Sequence, residues 1–190
     1  MFSKEEQRYG RNKETTVDHT YIQSGEYRKK FDKLTEYGKV NRLLYQKAKE
    51  MLMHRSGTLI EDMYWIDLES GEVVASVLDS KDEQKIIYSD YVKKIIVQND
   101  NLITMHTHPF SMPPSIADFN SVYSNRYRFG IIVCHDGRIY KYYAREILKE
   151  DLQKLYMAIY FKKGYNEEKA QLESLRKIQK NYDMSFEEVS

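Results

Sequence analysis

The chain's three prolines, Pro109, Pro113 and Pro114, all fall within one stretch, His106-Thr107-His108-Pro109-Phe110-Ser111-Met112-Pro113-Pro114-Ser115-Ile116-Ala117-Asp118. Proline fixes φ and lowers the entropy of a loop, so this concentration predicts a connection held in one shape. The apolar run Leu102-Ile103-Thr104-Met105 leads directly into His106, which predicts a buried strand ending at the histidines. On the far side, Ser115 is placed to cap a helix running through Tyr123, with Asp118 on its first turn. Two histidines, a serine and an aspartate are thereby expected on a preset scaffold between a strand end and a helix start.

Around this stretch the pattern alternates. Residues 1 to about 24 are polar, mixed in charge and aperiodic, and read as a flexible arm or a segment ordered by a partner. Tyr27, Phe31 and Leu34, then Val40, Leu43, Leu44, Ala48, Met51 and Leu52, recur at helical spacing. Ser24 is positioned to cap the first helix and Gly38 to interrupt or end it, giving a helical extension over 25–55 that Ser56-Gly57 closes. Met63 to Leu68 reads as a strand, Ser70-Gly71 as a turn and Glu72 to Val77 as a second strand. Ile86 to Val97 mixes helical and strand signals, with a helix placed over Ser89–Asn99. Gly130 to His135 and Arg138 to Tyr143 flank Asp136-Gly137, the strongest hairpin signal in the chain. Two helices follow in a C-terminal extension over 146–190, separated by Gly164. The first carries Leu152, Leu155, Tyr156, Ile159 and Tyr160; the second carries Leu172, Leu175, Ile178 and Tyr182. Apolar stripes on charged helices point to packing or to self-association as a homo-oligomer. The 190 residues thus fit one central domain, 56–145, with additions at both ends.

Thirty basic and 29 acidic residues leave a formal charge of +1, so no global field draws the chain to nucleic acid or to a membrane surface. No apolar stretch approaches the roughly 20 residues that span a bilayer. The single cysteine, Cys134, forms no intrachain disulfide, and the first residues lack the apolar run of a signal peptide; both point to a reducing cytoplasm.

Imidazole nitrogens and a carboxylate oxygen suit Zn²⁺, and a catalytic zinc typically takes three protein ligands and leaves a fourth position to water. His106, His108 and Asp118 are the candidate set. Residues i and i+2 of a strand project to one side, so a His-x-His pair presents both rings to one ion. Zinc would bring the pKa of its water towards about 7 and polarise a carbonyl. Ser115 lies close to one helical turn before Asp118, where its hydroxyl is placed to donate to an oxyanion.

The same segment resembles the JAMM signature of the JAB/MPN metalloproteases, His-x-His-Pro, a short loop, then Ser-x-x-Asp, matched by His106, His108, Pro109, Ser115 and Asp118. The resemblance covers roughly residues 56 to 145. It implies an α/β fold with a mixed sheet between helices, laid out like the cytidine deaminases, and hydrolysis of a peptide or isopeptide bond in a protein or peptide substrate. In that family the base is an upstream glutamate at the start of a strand facing the metal, which here points to Glu61, with Asp62 and Glu69 as rivals. Glu61 is favoured because the apolar run begins immediately after it. Six residues separate His108 from Ser115 where the usual signature has seven, so the loop is one residue short and the pocket rim is reshaped. Met-Pro-Pro-Ser and the following Asp-Phe-Asn look more like bacterial and phage-associated members than the eukaryotic deubiquitinases, which implies a phage or bacterial protein partner. A second possibility, similar to the RadC family, is a non-proteolytic assembly or nucleic-acid-associated module with a structural metal.

Other conspicuous residues have ordinary explanations. Cys134, between Ile132-Val133 and His135, reads as a buried apolar-like side chain. His135 adjoins a turn and is expected to face solvent, and His19 and His54 lie outside the motif. Tyr88, Tyr91, Tyr123, Tyr127, Tyr140, Tyr142 and Tyr143 read as packing residues, because a base-stacking platform would also need a basic groove.

Overall fold

The protein is described from a computed structural model covering residues 12–83 and 86–190. Those residues form a mixed six-stranded sheet between helices. After a 3-10 turn at Lys13–Thr15 come α1 (His19–Ile22), α2 (Gly25–Lys29) and the long α3 (Gly38–Arg55). The hairpin β1 (Met63–Asp67) and β2 (Glu72–Val77) follows, then α4 (Asp90–Gln98), β3 (Leu102–His108), α5 (Ile116–Ser124), β4 (Gly130–Cys134), β5 (Ile139–Ala144), α6 (Glu150–Lys162), α7 (Glu167–Ile178) and β6 (Met184–Glu188).

The strand order is β2-β1-β3-β4-β5-β6. Among the described strands only β3 and β4 pair in parallel; the other pairings are antiparallel. A parallel neighbour requires a crossover, and the proline loop with α5 supplies it. All of β4 and all of β3 but its last residue are buried, as a strand covered on both faces requires.

Side chains alternate between the faces. Tyr64, Ile66, Ile103, Met105, Ile131 and Val133 pack with α1, α2 and α3. Met63, Trp65, Leu102, Ile132, Cys134 and Tyr142 pack with α4, α5 and α7. With a period of two, the face of β3 that carries Leu102 also carries Thr104, His106 and His108, so both rings of the His-x-His pair emerge on the side where α5 lies.

Several expectations need correction. Residues 12 to 22 are part of the folded unit: Thr15, Val17 and Ile22 are buried, and Asp18 and Ser24 cap α1 and α2. The earlier part of the expected arm, residues 1–11, lies outside the described residues. Gly38 begins α3 instead of ending a helix. His135 is not at the surface; it is 2% exposed, with Nδ1 2.6 Å from the Thr15 carbonyl. Tyr182 falls beyond the last helix, and β6, which the sequence did not signal, closes the sheet against β5. On α7 the apolar stripe is consumed internally by Leu175 and Ile178, whereas α6 has no buried residue and leaves Leu155 and Ile159 exposed. No helix among the described residues is long and apolar enough to cross a membrane.

Candidate metal centre

His106, His108 and Asp118 converge. His106 Nε2 lies 3.0 Å from His108 Nε2 and 3.3 Å from Asp118 Oδ1, and His108 Nε2 lies 3.7 Å from Asp118 Oδ2. A tetrahedral ion with bonds of about 2.0–2.1 Å separates its ligands by about 3.3 Å, so the three donor atoms stand close to three corners of such a site. Their mutual proximity makes them the metal-capable group found among the described residues.

The groups that hold these donors fit that role. His108 Nδ1 lies 2.8 Å from the Met112 carbonyl, which can only accept, so Nδ1 carries the hydrogen and the Nε2 lone pair faces the centre. Burial, and then the neighbouring His106, push the His108 pKa down to about 4, which keeps that lone pair available. Burial also works against a charged His106, but the Asp118 charge and hydrogen bond, with Glu61, outweigh it and raise its pKa. Asp118 is held well below the usual carboxylate range: burial opposes ionisation, and His106, His108 and the Ser115 backbone N–H overcome it. Two imidazole nitrogens in contact beside a carboxylate form a pocket that attracts positive charge. The Nδ1 of His106 is buried without a partner.

Ser115 caps α5 in a capping box. Its Oγ accepts from the Asp118 N–H at 3.2 Å and donates to Asp118 Oδ2 at 2.7 Å, and its own N–H donates to the same Oδ2 at 2.7 Å. Oδ2 is thereby occupied twice and Oδ1 is left towards His106. The hydroxyl expected to meet an oxyanion is committed, in this arrangement, to aiming Asp118.

Glu61 precedes β1 and shares its odd-numbered face. Met63 pairs with His106, and continuing that antiparallel register by two residues brings Glu61 alongside His108. Glu61 lines the same cleft of about 1110 Å³ as the three ligand candidates. Burial raises its pKa from 4.5 to about 7; His106 pulls it down and Asp118 pushes it up. The rivals are elsewhere. Asp62 points to the opposite face, fully buried between Arg55 Nε at 2.5 Å and His54 Nδ1 at 2.7 Å. Glu69 sits exposed at the β1–β2 turn.

Three contributors carried no sequence signal. The Met112 carbonyl is backbone. Tyr142 stands edge-on to His106 at 6.4 Å between ring centroids. Gln171, on α7, donates to the Pro113 and Pro114 carbonyls at 2.8 and 3.1 Å across more than fifty residues of chain. A contact over that separation leaves no local pattern in the sequence.

Fold and site together define an α/β protein with a His-His-Asp group at the floor of an open cleft. No family model, curated protein or solved structure matches the chain.

Proposed function

We propose that this chain is a zinc-dependent peptidase or isopeptidase, and that its sheet is the sheet of the JAB/MPN fold. The observation that carries the reading is the convergence of His106, His108 and Asp118 at tetrahedral spacing in a cleft that Glu61 also lines. Zinc bound by this donor set supplies a Lewis acid and water of lowered pKa. Glu61, with its pKa raised to about 7, takes the proton of the attacking water and passes it to the departing amine nitrogen as the carbon–nitrogen bond breaks. Ser115 holds Asp118 in orientation; to donate to an oxyanion its hydroxyl must turn away from Oδ2.

The charge of the cleft supports this reading over a nucleic-acid-associated module. Glu61, Asp118, Glu150 and Glu167 line it, and no lysine or arginine does among the described residues. A phosphate backbone needs the opposite sign. A protein or peptide substrate is therefore the partner proposed, in keeping with the bacterial and phage-associated members that the loop resembles. Cys134, reduced and buried, fits the cytoplasmic setting expected from the sequence.

The test is zinc content by plasma mass spectrometry, together with cleavage of a peptide library. Wild type is expected to carry about one zinc per chain, and Asp118→Ala to lose it. Glu61→Gln is expected to keep zinc and lose cleavage, and a chelator to abolish cleavage. Wild type that takes up no zinc after reconstitution, or that cleaves equally well with chelator present, would sink the proposal.

A further inference from the structure

The loop from Pro109 to Pro114 has little backbone pairing of its own: three of its residues lack an N–H, and its turn is closed by the Ser111 N–H, which donates to the His108 carbonyl at 3.1 Å. It also contains Ser111 at φ 57°, a left-handed conformation that a non-glycine residue rarely adopts without support. Further support comes from outside the loop. Arg138 Nη2 donates to the Ser111 carbonyl at 3.0 Å, and the Asp136 N–H donates to Ser111 Oγ at 3.0 Å. Gln171, almost wholly buried, donates its side-chain amide to the carbonyls of Pro113 and Pro114. Arg138 is itself gripped by Asp136 at 2.6 Å and by Glu168, one turn before Gln171 on α7. Between these anchors lies Met112, whose carbonyl accepts from His108 Nδ1.

We propose that Gln171 and Arg138 are positioning residues for the metal centre: by pinning the loop on both sides of Met112 they fix the Nδ1–H tautomer of His108 and so aim its Nε2 lone pair. The C-terminal helix α7 is then part of the site, although none of its residues is a ligand candidate. The single-residue shortening of the loop is compatible with this arrangement because the anchors, not the loop's own pairing, set the place of Met112. The inference rests on the metal-binding reading above. Removing an outer partner of a metal-ligating histidine typically lowers metal affinity about 10–100-fold.

The experiment uses the full chain and Gln171→Met, which keeps side-chain volume and removes both donated N–H groups. Co²⁺ is titrated by its d–d absorption, and the His108 tautomer is read by ¹⁵N NMR in metal-free protein. Wild type is expected to show the Nδ1–H tautomer and a tetrahedral Co²⁺ spectrum. Gln171→Met is expected to bind Co²⁺ about 10–100-fold more weakly, with His108 shifted to a mixture of tautomers. A merely structural role would lower the melting temperature and leave the tautomer alone. Wild-type affinity and a wild-type tautomer in Gln171→Met would overturn the proposal. Should that variant not fold, Arg138→Gln, altered at a partly exposed side chain, is read for the same tautomer change from the hairpin side, and an unchanged tautomer there overturns it equally. If wild-type protein binds no Co²⁺ yet its Nδ1–H tautomer depends on Gln171, the metal reading fails and the clamp stands.

Discussion

Glu61 and Asp62 are neighbours with opposite circumstances, and the cause is the alternation of a strand. Glu61 faces the cleft, half-buried, where burial outweighs the pull of His106; Asp62 faces the other way, into Arg55 and His54. For Glu61 the stability consequence has a definite sign. Below pH 4.5 both folded and unfolded chains hold its proton. Between 4.5 and about 7 the unfolded chain ionises while the folded one does not, so stability falls through that window and stays lower above it. Glu61→Gln removes the effect: metal-free Glu61→Gln is expected to melt above wild type at pH 8 and together with it at pH 4. Equal melting temperatures at pH 8 would show that Glu61 is not desolvated. Asp62→Ala has the opposite sign, because it leaves Arg55 buried without its partner; a loss of about 3–5 kcal/mol is expected from urea denaturation. A loss under about 1 kcal/mol would mean that Arg55 finds water or another acceptor. The ligand candidates were legible because a motif of fixed spacing carried them. His135 was not, because its burial depends on Thr15, which lies far away in the sequence and in a segment without periodicity.

At the scale of elements, the central strands and α5 could be read because their signals are local: an apolar run, a capping serine, an Asp-Gly turn. β6 escaped because Met184-Ser185-Phe186-Glu187-Glu188 is a short, mostly solvated edge strand that only its pairing with β5 makes extended. α3 begins at Gly38 with no side-chain cap, so its start is set by packing of Val40 and Leu44 and not by a start signal. Gly130 shows the pairing of two elements at one atom. It opens β4 opposite Tyr142 of β5, and a Cβ there would come within 2.2 Å of the tyrosine ring. That ring is wedged against Phe119 of α5 and stands edge-on to His106, so it has nowhere to go without disturbing the site. Gly130→Ala is expected to cost about 1–3 kcal/mol in thermal or urea denaturation and to weaken zinc retention. Unaltered stability would show that Tyr142 can tilt freely.

At the scale of the whole molecule, the boundary of the folded unit lies further towards the N-terminus than hydropathy indicates. Thr15, Val17 and Ile22 are the buried residues of this segment, and they are separated by a 3-10 turn, an extended stretch and a four-residue helix, so no single period connects them. A pattern search finds nothing there, yet the segment behaves as a strap. The Asn12 N–H donates to the Gly57 carbonyl, the Gly57 N–H donates to the Thr15 carbonyl, and the Val17 N–H donates to Ser56 Oγ. The strap also meets His135, which follows β4 and whose own N–H donates to the His108 carbonyl, so the end of the strand that carries His106 and His108 is tied indirectly to residue 15. Burial of Val17 and Ile22 alone stabilises the fold by roughly 3–6 kcal/mol, as an upper figure, which is a large part of the 5–15 kcal/mol typical of a domain. A chain starting at Ser24 is therefore expected to melt far below the full chain or to remain unfolded, and the full chain is expected to resist limited proteolysis between residues 12 and 24. Rapid cleavage in that stretch, or a truncated chain with the melting temperature of the intact one, would return this segment to the status of a loose arm.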